Sequence, residues 1–427
     1  MKGKTKFEQI KRFKNDLEAC TQCGYCTFWC PLYQEEPVES SVARGKISTI
    51  RKLLSTDGDY DEILASQVNK CMLCLTCAEH CSAKTNVPNV ILAAKADKVK
   101  AKGVPFPQNI IFKWLLPRPA LFGHIVKVAS LFQWIFMPKT EGTIRHLSFF
   151  LSAIGKGRRI PQIAPHFLKQ IVPVVNKPPD NVKTKMRVGY FIGCATNFVF
   201  PDLGRKIISF LTKNGVEVLV PKEQGCCGAP VYLGAGDFET GRKMTDINVN
   251  VFADVDYVIS GCATCTSALK DYIKFLPDTP ERKEAFAKFS DKVKDISQFL
   301  VDVLKLPPEA YKARPDLKNK RITWHDPCHL NRYLGIKEQP RQIIKSLQGI
   351  EYKEMMRPDW CCGMAGSFSM YYYDLSKKIA DKKMETIKAT QADIVATACP
   401  GCMIQLIDNT MRHNMPVKVM HLMELLE

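Results

Sequence analysis

The sequence lacks the features of exported, membrane-spanning and disordered proteins. Its first residues, MKGKTKFEQIKRFKNDLEAC, contain no apolar run of the kind that forms a secretory signal. No stretch reaches about 18 uncharged apolar residues, so no membrane-spanning helix is expected. With 46% hydrophobic residues among 427, the chain is too apolar to be disordered and long enough to bury its own cores. We expect a cytoplasmic protein, or one that is peripheral on the inner face of the cytoplasmic membrane.

Acidic residues are scarce in one part of the chain, the segment 98–187. This segment has 16 Lys and Arg but only two acids, Glu141 and Asp180, and supplies most of the net charge of +18. It contains none of the 18 cysteines, which lie before and after it. Because no export signal precedes them, these cysteines predict metal-bound or redox-active thiols rather than disulfides.

Two cysteine runs near the N-terminus share the spacing C-x2-C-x2-C-x3-C. This spacing is typical of bacterial ferredoxins, in which three neighbouring thiolates hold one [4Fe-4S] cubane and the fourth thiolate crosses to the other cluster. One predicted ligand set is therefore Cys20, Cys23, Cys26 and Cys81, and the other is Cys71, Cys74, Cys77 and Cys30. Two zinc sites are the alternative, although zinc motifs usually come as separated C-x2-C pairs.

The residues between the two runs predict a helix. Apolar positions in SSVARGKISTIRKLL, including Ile47 and Ile50, recur at helical spacing. This favours an α-helical ferredoxin domain over a ferredoxin with a short β-linker. Three basic residues of the same stretch, Arg44, Lys46 and Arg51, are expected to be solvated rather than to flank a cluster.

The remaining ten cysteines form two sets with matching gaps. In each set one cysteine precedes a Cys-Cys-Gly sequence by 31 or 32 residues, and a C-x2-C motif follows after 34 or 36. A match at such a long period indicates an internal duplication. The first set is Cys194, Cys226, Cys227, Cys262 and Cys265, and the second is Cys328, Cys361, Cys362, Cys399 and Cys402.

Apolar, strand-like runs end near these cysteines, with amphipathic helices between the runs. The alternation predicts a parallel sheet with right-handed crossovers in each repeat, and ligands bind at the carboxyl ends of such strands. Gly228, Gly261 and Gly363 are expected to let the backbone approach a bulky cluster closely. We interpret each set as an iron–sulfur site with unusual ligation; zinc or a catalytic dithiol is the alternative.

The double ferredoxin run and the two C-x31–32-CCG-x34–36-C-x2-C blocks resemble the CCG-domain iron–sulfur proteins over nearly the whole chain. This family includes subunits of heterodisulfide reductase, anaerobic glycerol-3-phosphate dehydrogenase and lactate-utilisation systems. The segments CTQCGYCTFWCPLYQ, SSVARGKI, HDPCHL, CCGMAGSF and PGCMIQL look most like the glycolate oxidase iron–sulfur subunit. The resemblance implies a noncubane [4Fe-4S] cluster at one or both five-cysteine sets, beside the two cubanes.

We predict four parts in an α plus α/β architecture. They are an α-helical ferredoxin domain with two cubanes (1–97), a basic helical linker (98–187), and two CCG α/β repeats (188–315 and 316–427). Their parallel sheets are expected to be related by a pseudo-twofold repeat.

The sequence has no G-x-G-x-x-G fingerprint and no phosphate-binding loop, so we expect no bound flavin or nucleotide. Electrons must then come from a partner. In the complexes that the chain resembles, an FAD-containing flavoprotein oxidises a 2-hydroxy acid such as glycolate or lactate. The resemblance implies an electron-transfer subunit of this oxidoreductase, which needs the flavoprotein for turnover and passes electrons to a quinone or another carrier. A subunit that itself reduces a disulfide is the alternative.

Three polar residues, His325, Asp326 and His329, surround Cys328. They could relay protons to a quinone or a disulfide. The alternative is that they begin a helix or hydrogen-bond to cluster sulfurs.

Residues 105–175 combine aromatic and aliphatic side chains with Lys and Arg. From Leu121 to Met137 this stretch is mostly apolar, too short to span a membrane but suited to a helix on a membrane surface. Docking on a partner protein remains the alternative. Nucleic-acid binding is not expected, because we find no nucleic-acid motif.

Overall fold

The computed structural model describes residues 7–56, 62–106, 108–137, 139–141, 144–146 and 159–427. The chain forms two compact units. The first, which we call the N-terminal unit, comprises Met1–Lys113, Gly228–Gly241 and Trp360–Lys383. The second, the sheet unit, comprises Trp114–Cys227, Arg242–Asp359 and Met384–Glu427. The two inserted segments of the N-terminal unit each begin at or just before the glycine that follows a Cys-Cys pair.

In residues 7–56 and 62–102 of the N-terminal unit, all the regular secondary structure is helical. Their helices are α1 (Glu8–Lys11), α2 (Lys14–Ala19), α3 (Cys26–Trp29), α4 (Pro31–Glu35), α5 (Ala43–Ser55), α6 (Glu62–Lys70), α7 (Thr76–Glu79) and α8 (Val87–Lys102). The predicted helix between the cysteine runs is α5, and its Ile47 and Ile50 are fully buried. Helix α8 begins after Asn86, whose side chain accepts the N–H of Asn89, and ends at Gly103.

The basic segment contributes α9 (Pro119–Phe136) to the sheet unit, close to the predicted stretch Leu121–Met137. A small antiparallel sheet follows, formed by β1 (Lys139–Glu141), β2 (Ile144–His146) and β3 (Arg159–Pro161). Within the described residues, no helix combines the length and the apolar character needed to cross a bilayer. Residues 107, 138, 142–143 and 147–158 of the predicted docking region lie outside the described residues.

Two further sheets form the rest of the sheet unit. Their strands are β4 (Val175–Asn176), β5 (Met186–Tyr190), β6 (Val216–Leu219), β7 (Tyr257–Ser260), β8 (Val293–Asp295), β9 (Arg321–Trp324), β10 (Glu351–Tyr352), β11 (Ile394–Thr397) and β12 (Lys418–His421). The helices that follow α9 along the chain are α10 (Leu168–Ile171), α11 (Gly193–Phe198), α12 (Pro201–Lys213), α13 (Phe238–Val251), α14 (Ala263–Phe275), α15 (Pro280–Lys292), α16 (Ile296–Gln298), α17 (Glu338–Ser346), α18 (Ser367–Tyr371), α19 (Tyr373–Lys388) and α20 (Pro400–Arg412).

The predicted mixture of helices and parallel sheets is confirmed. The first sheet has the order β4-β6-β5-β7-β8, and every pair in it is parallel except β4 with β6. The second sheet has the order β10-β9-β11-β12 and is parallel throughout. In both sheets the first strand of the repeat lies between the second and third strands. The pseudo-twofold relation between the repeats stays a prediction.

Candidate metal centres

Two cavities in the N-terminal unit are lined by cysteines from both ferredoxin runs. The two cavities are similar in size. The first is lined by Cys20, Cys23, Cys26, Cys77 and Cys81, and the second by Cys30, Cys71, Cys74 and Cys77. Each cavity therefore receives sulfurs from both runs, as a crossed ligand set requires, and Cys77 lies at both.

A single short helix in each run separates the sulfurs of one cavity from those of the other. Cys26 begins α3, and Cys30 directly follows its last residue. Cys77 lies in α7, and Cys81 comes just after that helix. Because one helical turn rises about 5.4 Å, the last thiol of each run is displaced from the preceding three.

The thiols of the second cavity need a cation to be ionised together. Burial raises the pKa of Cys30 to about 11, and Cys74 and Cys71 add repulsion. Burial also raises the pKa of Cys77 well above its ordinary value, again with repulsion from Cys74 and Cys71. Thiolates so close to each other are stable when they share a soft metal centre, so this donor set fits an iron–sulfur cluster.

Two lysines beside the second cavity are buried. The prediction that Lys46 is solvated is wrong: the residue is only 3% exposed, lines the cavity, and its Nζ donates to the carbonyl of Ser41. Lys95 of α8 is also buried; desolvation lowers its pKa to about 8, whereas the nearby Cys71 raises it. Their positive charges compensate the negative charge of the thiolates.

The five cysteines of the first CCG set all belong to the sheet unit. The thiol of Cys194 hydrogen-bonds to Cys226, which raises the pKa of Cys194 well above its ordinary value. Cys265 hydrogen-bonds to Cys227 and to Cys262, and these contacts, together with burial, raise its pKa as well. The sulfurs therefore form two contacting groups, Cys194 with Cys226 and Cys265 with Cys227 and Cys262, and the adjacent residues Cys226 and Cys227 link the groups along the chain.

Side chains from neighbouring helices fix the loop that carries the first Cys-Cys pair. Asn248 donates from Nδ2 to the carbonyl of Cys226 (3.0 Å) and accepts the N–H of Gly225 at Oδ1 (2.9 Å). The hydroxyl of Tyr272 donates to the carbonyl of Cys227 (2.8 Å). Helices α13 and α14 thus hold the backbone of the Cys226–Cys227 pair and leave its sulfurs available as ligands.

Gly193 is a residue of this site that the sequence analysis missed. Its φ is +70°, and a Cβ at this position would lie 3.0 Å from the Sγ of Cys265. Its signal in the sequence is the Gly-Cys pair shortly after β5, which belongs to neither the CCG nor the C-x2-C motif. Gly193 lets the first cysteine turn toward the others.

The second CCG set is divided between the two units. Cys328, Cys399 and Cys402 belong to the sheet unit, whereas Cys361 and Cys362 belong to the N-terminal unit. There Cys361 packs in an apolar cluster with Leu32, Phe368 and Ile379, against which Cys30 also packs. Cys30, a ligand predicted for a cubane, and Cys361, a ligand predicted for a CCG site, therefore pack in the same apolar cluster of side chains.

Within the sheet unit, the two C-x2-C motifs meet. The thiol of Cys262 hydrogen-bonds to Cys399, and Thr264 Oγ1 lies 3.4 Å from the Sγ of Cys399. Hydrogen bonds from Cys262, Cys402 and Thr264 hold the pKa of Cys399 well below its ordinary value. The first and second CCG sets are thus joined through Cys262 and Cys399.

Comparison with protein families matches the segments that contain all 18 cysteines. The profile described as a cysteine-rich domain, CCG, matches residues 188–270 and 322–407, and the profile of a 4Fe-4S dicluster domain matches residues 16–85. A lactate utilization protein A of Halalkalibacterium halodurans is 33% identical over 56% of this chain and 96% of the relative. The chain belongs to the CCG-domain iron–sulfur proteins.

Two other relatives of this CCG-domain protein match along nearly its whole length. A probable glycolate oxidase iron-sulfur subunit of Bacillus subtilis is 29% identical over 97% of this chain and 94% of the relative. One of the subunits of a fumarate reductase (CoM/CoB) of Methanothermobacter marburgensis is 28% identical over 96% of this chain and 72% of the relative. The family and the sulfur geometry together show that the chain binds iron–sulfur clusters.

The three polar residues around Cys328 have different surroundings in the CCG-domain protein. Asp326 accepts two hydrogen bonds from Arg341 (2.9 and 3.1 Å) and one from Trp324 (2.5 Å), an arrangement that favours a structural role. His329 Nδ1 lies 2.6 Å from Ser267 Oγ. The proton relay stays a prediction.

His325 differs from its two neighbours. Its ring is buried, and neither ring nitrogen has a hydrogen-bond partner among the described residues. A ring nitrogen lies within 4.8 Å of the Sγ of Cys402. This imidazole is therefore oriented for an interaction with a group held by the cysteine sulfur.

The three predicted glycines have different local roles. Gly228 and Gly363 have φ values of +78° and +89°, and the N–H of Gly363 donates to the Sγ of Cys361 (3.3 Å). A Cβ on Gly261 would lie 2.7 Å from Ile207, and its carbonyl accepts Nε2–H of His421 (2.7 Å). Gly228 and Gly261 let the backbone pass close to a packed neighbour, and Gly363 adopts a left-handed conformation; the contact of all three with a cluster stays a prediction.

Helix α9 presents its polar side to the protein and its apolar side to solvent. Gln133 is buried and exchanges two hydrogen bonds with the backbone of Ile163 (2.9 and 3.0 Å). Apolar residues form the opposite, exposed stripe, at 43–64% exposure: Ile125, Val128, Leu131, Phe132, Trp134 and Ile135. This is the reverse of an ordinary surface helix and marks an interaction surface.

Proposed function

We propose that this protein relays electrons from an FAD-containing flavoprotein, which oxidises a 2-hydroxy acid such as glycolate or lactate, to a quinone or another carrier. The names of two relatives, a glycolate oxidase subunit and a lactate utilization protein, support this substrate class. The chain itself supplies the electron-transfer part of the oxidoreductase and turns over with the flavoprotein.

One observation carries this proposal: cysteines of successive sets contact each other. Cys77 lines both ferredoxin cavities. Cys30 of the second cavity packs against the apolar cluster of side chains that contains Cys361. Cys361 belongs to the same predicted ligand set as Cys399, which contacts Cys262 of the first CCG set. Within the N-terminal unit and within the sheet unit, sulfurs of different sets therefore lie close together, which a relay needs and isolated structural sites do not.

Iron–sulfur clusters supply single-electron transfer when they are bound. We propose two [4Fe-4S] cubanes in the ferredoxin part, held by the crossed cysteine sets, and a noncubane [4Fe-4S] cluster at one or both CCG sets. The residues of the chain hold these groups, exclude water from them and compensate their charge. We propose that the chain has four parts: the ferredoxin domain (1–97), the basic linker (98–187) and the two CCG repeats (188–315 and 316–427).

We propose that residues 105–175 contact a membrane surface through the exposed stripe of α9. Its aromatic and aliphatic side chains suit the headgroup region, and the basic excess of 98–187 complements anionic lipid. Flotation with anionic vesicles tests this contact. Leu131→Glu should abolish binding, whereas equal flotation of this variant and the unmodified protein would favour docking on a protein.

Reduction of the chain by its flavoprotein tests the relay. The anaerobically purified protein is mixed with the flavoprotein and glycolate or lactate, and the visible absorbance of the clusters is followed. We expect bleaching with the flavoprotein and none when it is omitted. Turnover of the hydroxy acid by the chain alone, or clusters that stay oxidised with the complete mixture, would contradict the proposal.

One observation favours disulfide reduction as a second candidate function. The unpartnered ring of His325 beside Cys402 could protonate a thiolate released from a cleaved disulfide. A disulfide substrate should then change the electron paramagnetic resonance spectrum of the oxidised protein. If no small disulfide changes the spectrum, disulfide reduction is contradicted, and electron transfer to a carrier is the function.

A further inference from the structure

A cavity in the sheet unit lies beside the first CCG set. Cys194 and Cys226 line it, so it reaches two predicted ligands directly. Cys194 is exposed to solvent, whereas the other cysteines of the two CCG sets are buried or half-buried. The cavity is partly open to solvent, so a ligand can enter it from the surface.

One wall of this cavity is apolar and comes from the basic segment. Leu116, Pro119 and Phe122 line it, and Phe198 faces them from α11. The rings of Phe122 and Phe198 meet edge to face at 5.4 Å, and Phe167 supports Phe198 in the same way at 4.8 Å. The interlocked rings provide a firm wall suited to a flat, apolar ring.

The opposite edge of the cavity is polar. Lys169 lines it and donates from Nζ to the carbonyls of Lys222 (3.0 Å) and Gln224 (2.7 Å). An ammonium group has three N–H donors, so one remains for a ligand. A carbonyl oxygen on an otherwise apolar ring is the acceptor that this combination favours.

Helix α9 connects this cavity with the exposed apolar stripe. Phe122 near the start of the helix lines the cavity, whereas Leu131 and Phe132 further along it are exposed. A ligand that dissolves in a bilayer would therefore meet an apolar surface and an apolar cavity on the same helix.

We propose that the cavity beside Cys194 and Cys226 binds the head group of a lipid-soluble quinone, the terminal acceptor of the relay. This inference rests on the proposed function, because the proposed relay supplies the electrons that reduce the quinone. Reduction of the quinone to the quinol consumes two electrons, which the hydroxy acid supplies through the flavoprotein, and two protons, which come from water. The quinol then leaves, and no bond to the protein is made or broken.

Binding of a fluorescent quinol analogue, 2-heptyl-4-hydroxyquinoline N-oxide, tests the site in the full-length protein with its clusters. Quenching of the probe should saturate at one site per chain. Phe122→Ala should weaken binding about tenfold, because it removes the ring that forms the apolar wall. Phe132→Ala is the matched control: the same change on the same helix, but on the exposed stripe, should leave the affinity unchanged.

Iron and sulfide content show whether each variant has kept its clusters. If the clusters are reduced by the flavoprotein but Phe122→Ala and the unmodified protein bind the probe equally, or neither binds it, the quinone site is wrong and the relay stands. If a small disulfide displaces the probe and quinones do not, the site is also wrong. Clusters that the flavoprotein cannot reduce would instead contradict the proposed function, whatever the probe does.

Discussion

The two CCG sets have the same cysteine spacing but different surroundings. The first set lies entirely in the sheet unit and borders a cavity at Cys194 and Cys226. The second set contributes Cys361 to the N-terminal unit, where this residue shares an apolar cluster with Cys30. Under the proposed function, Cys361 lies on the cubane side of the relay, and Cys194 and Cys226 lie on the acceptor side.

The segments that follow the two Cys-Cys pairs explain part of this difference. Both belong to the N-terminal unit. After the second pair, Phe368 and Ile379 bury Cys361 against Leu32. After the first pair, the segment instead packs on α8, where Lys95 Nζ donates to the carbonyl of Gly234 (3.2 Å). The pair Cys226–Cys227 itself remains with the sheet unit.

Removing one ligand from each CCG set should separate the two positions most clearly. Cys361→Ser should stop electron flow from the cubanes to the acceptor and remove roughly four iron atoms per chain, because it breaks one four-iron site. Cys194→Ser should also block the acceptor while leaving the second CCG site reducible. Metal analysis and redox-titrated electron paramagnetic resonance measure both effects.

Identical spectra for the two variants would remove the distinction between the repeats. Unchanged iron in Cys361→Ser would show that this residue is not a ligand. The ferredoxin part should remain folded and keep its two clusters in both variants.

The close approach of Gly193 to Cys265 provides a second, smaller test. Gly193→Ala should lose the cluster of the first set, since the added Cβ would lie 3.0 Å from the Sγ of Cys265. Gly335→Ala is the control: its φ is also positive, +68°, but nothing lies within 4 Å of the Cβ position. The control should lose about 1 kcal/mol of stability from backbone strain and keep its iron. Equal iron in both variants would show that the first set tolerates a side chain there.

The smallest effect is expected from the charge beside the second cubane. Lys46→Met should lower the reduction potential of that cluster, because a buried positive charge near Cys30 favours the reduced, more negative state. Lys52→Met, an exposed lysine on the same helix, should leave the potential unchanged. Potentiometric titration followed by electron paramagnetic resonance compares them, and equal potentials would mean that Lys46 serves packing alone.

The sequence was most informative where the signal is local. Cysteine spacing predicted the ferredoxin runs and the duplicated sets, helical periodicity predicted α5, and apolar composition predicted α9. The burial of Lys46 was mispredicted, because a charged residue one turn from an apolar stripe ordinarily faces solvent, and here a sulfur-lined cavity lies beside it. The meeting of Cys262 with Cys399 could not be predicted, since it depends on how two distant repeats pack.

The exposed stripe of α9 shows the same limit. The composition of residues 121–137 predicted an interfacial helix, but not which side would face the protein. The hydrogen bonds between Gln133 and the backbone of Ile163 fix the side that faces the protein. Ile163 lies further along the chain, outside α9, so the sequence of the helix does not indicate this contact. Polar residues at helical spacing are ordinarily assigned to solvent.

Iron and acid-labile sulfide, measured together with Mössbauer spectra on anaerobically purified protein, test the central claim most directly. Two cubanes and a noncubane cluster at one or both CCG sets predict roughly 12 or 16 iron atoms and as many sulfides per chain, with cubane and noncubane spectral components. A colourless protein without sulfide would contradict the account at its base. Iron that stops at roughly eight atoms, all in cubanes, would contradict the relay through the CCG repeats.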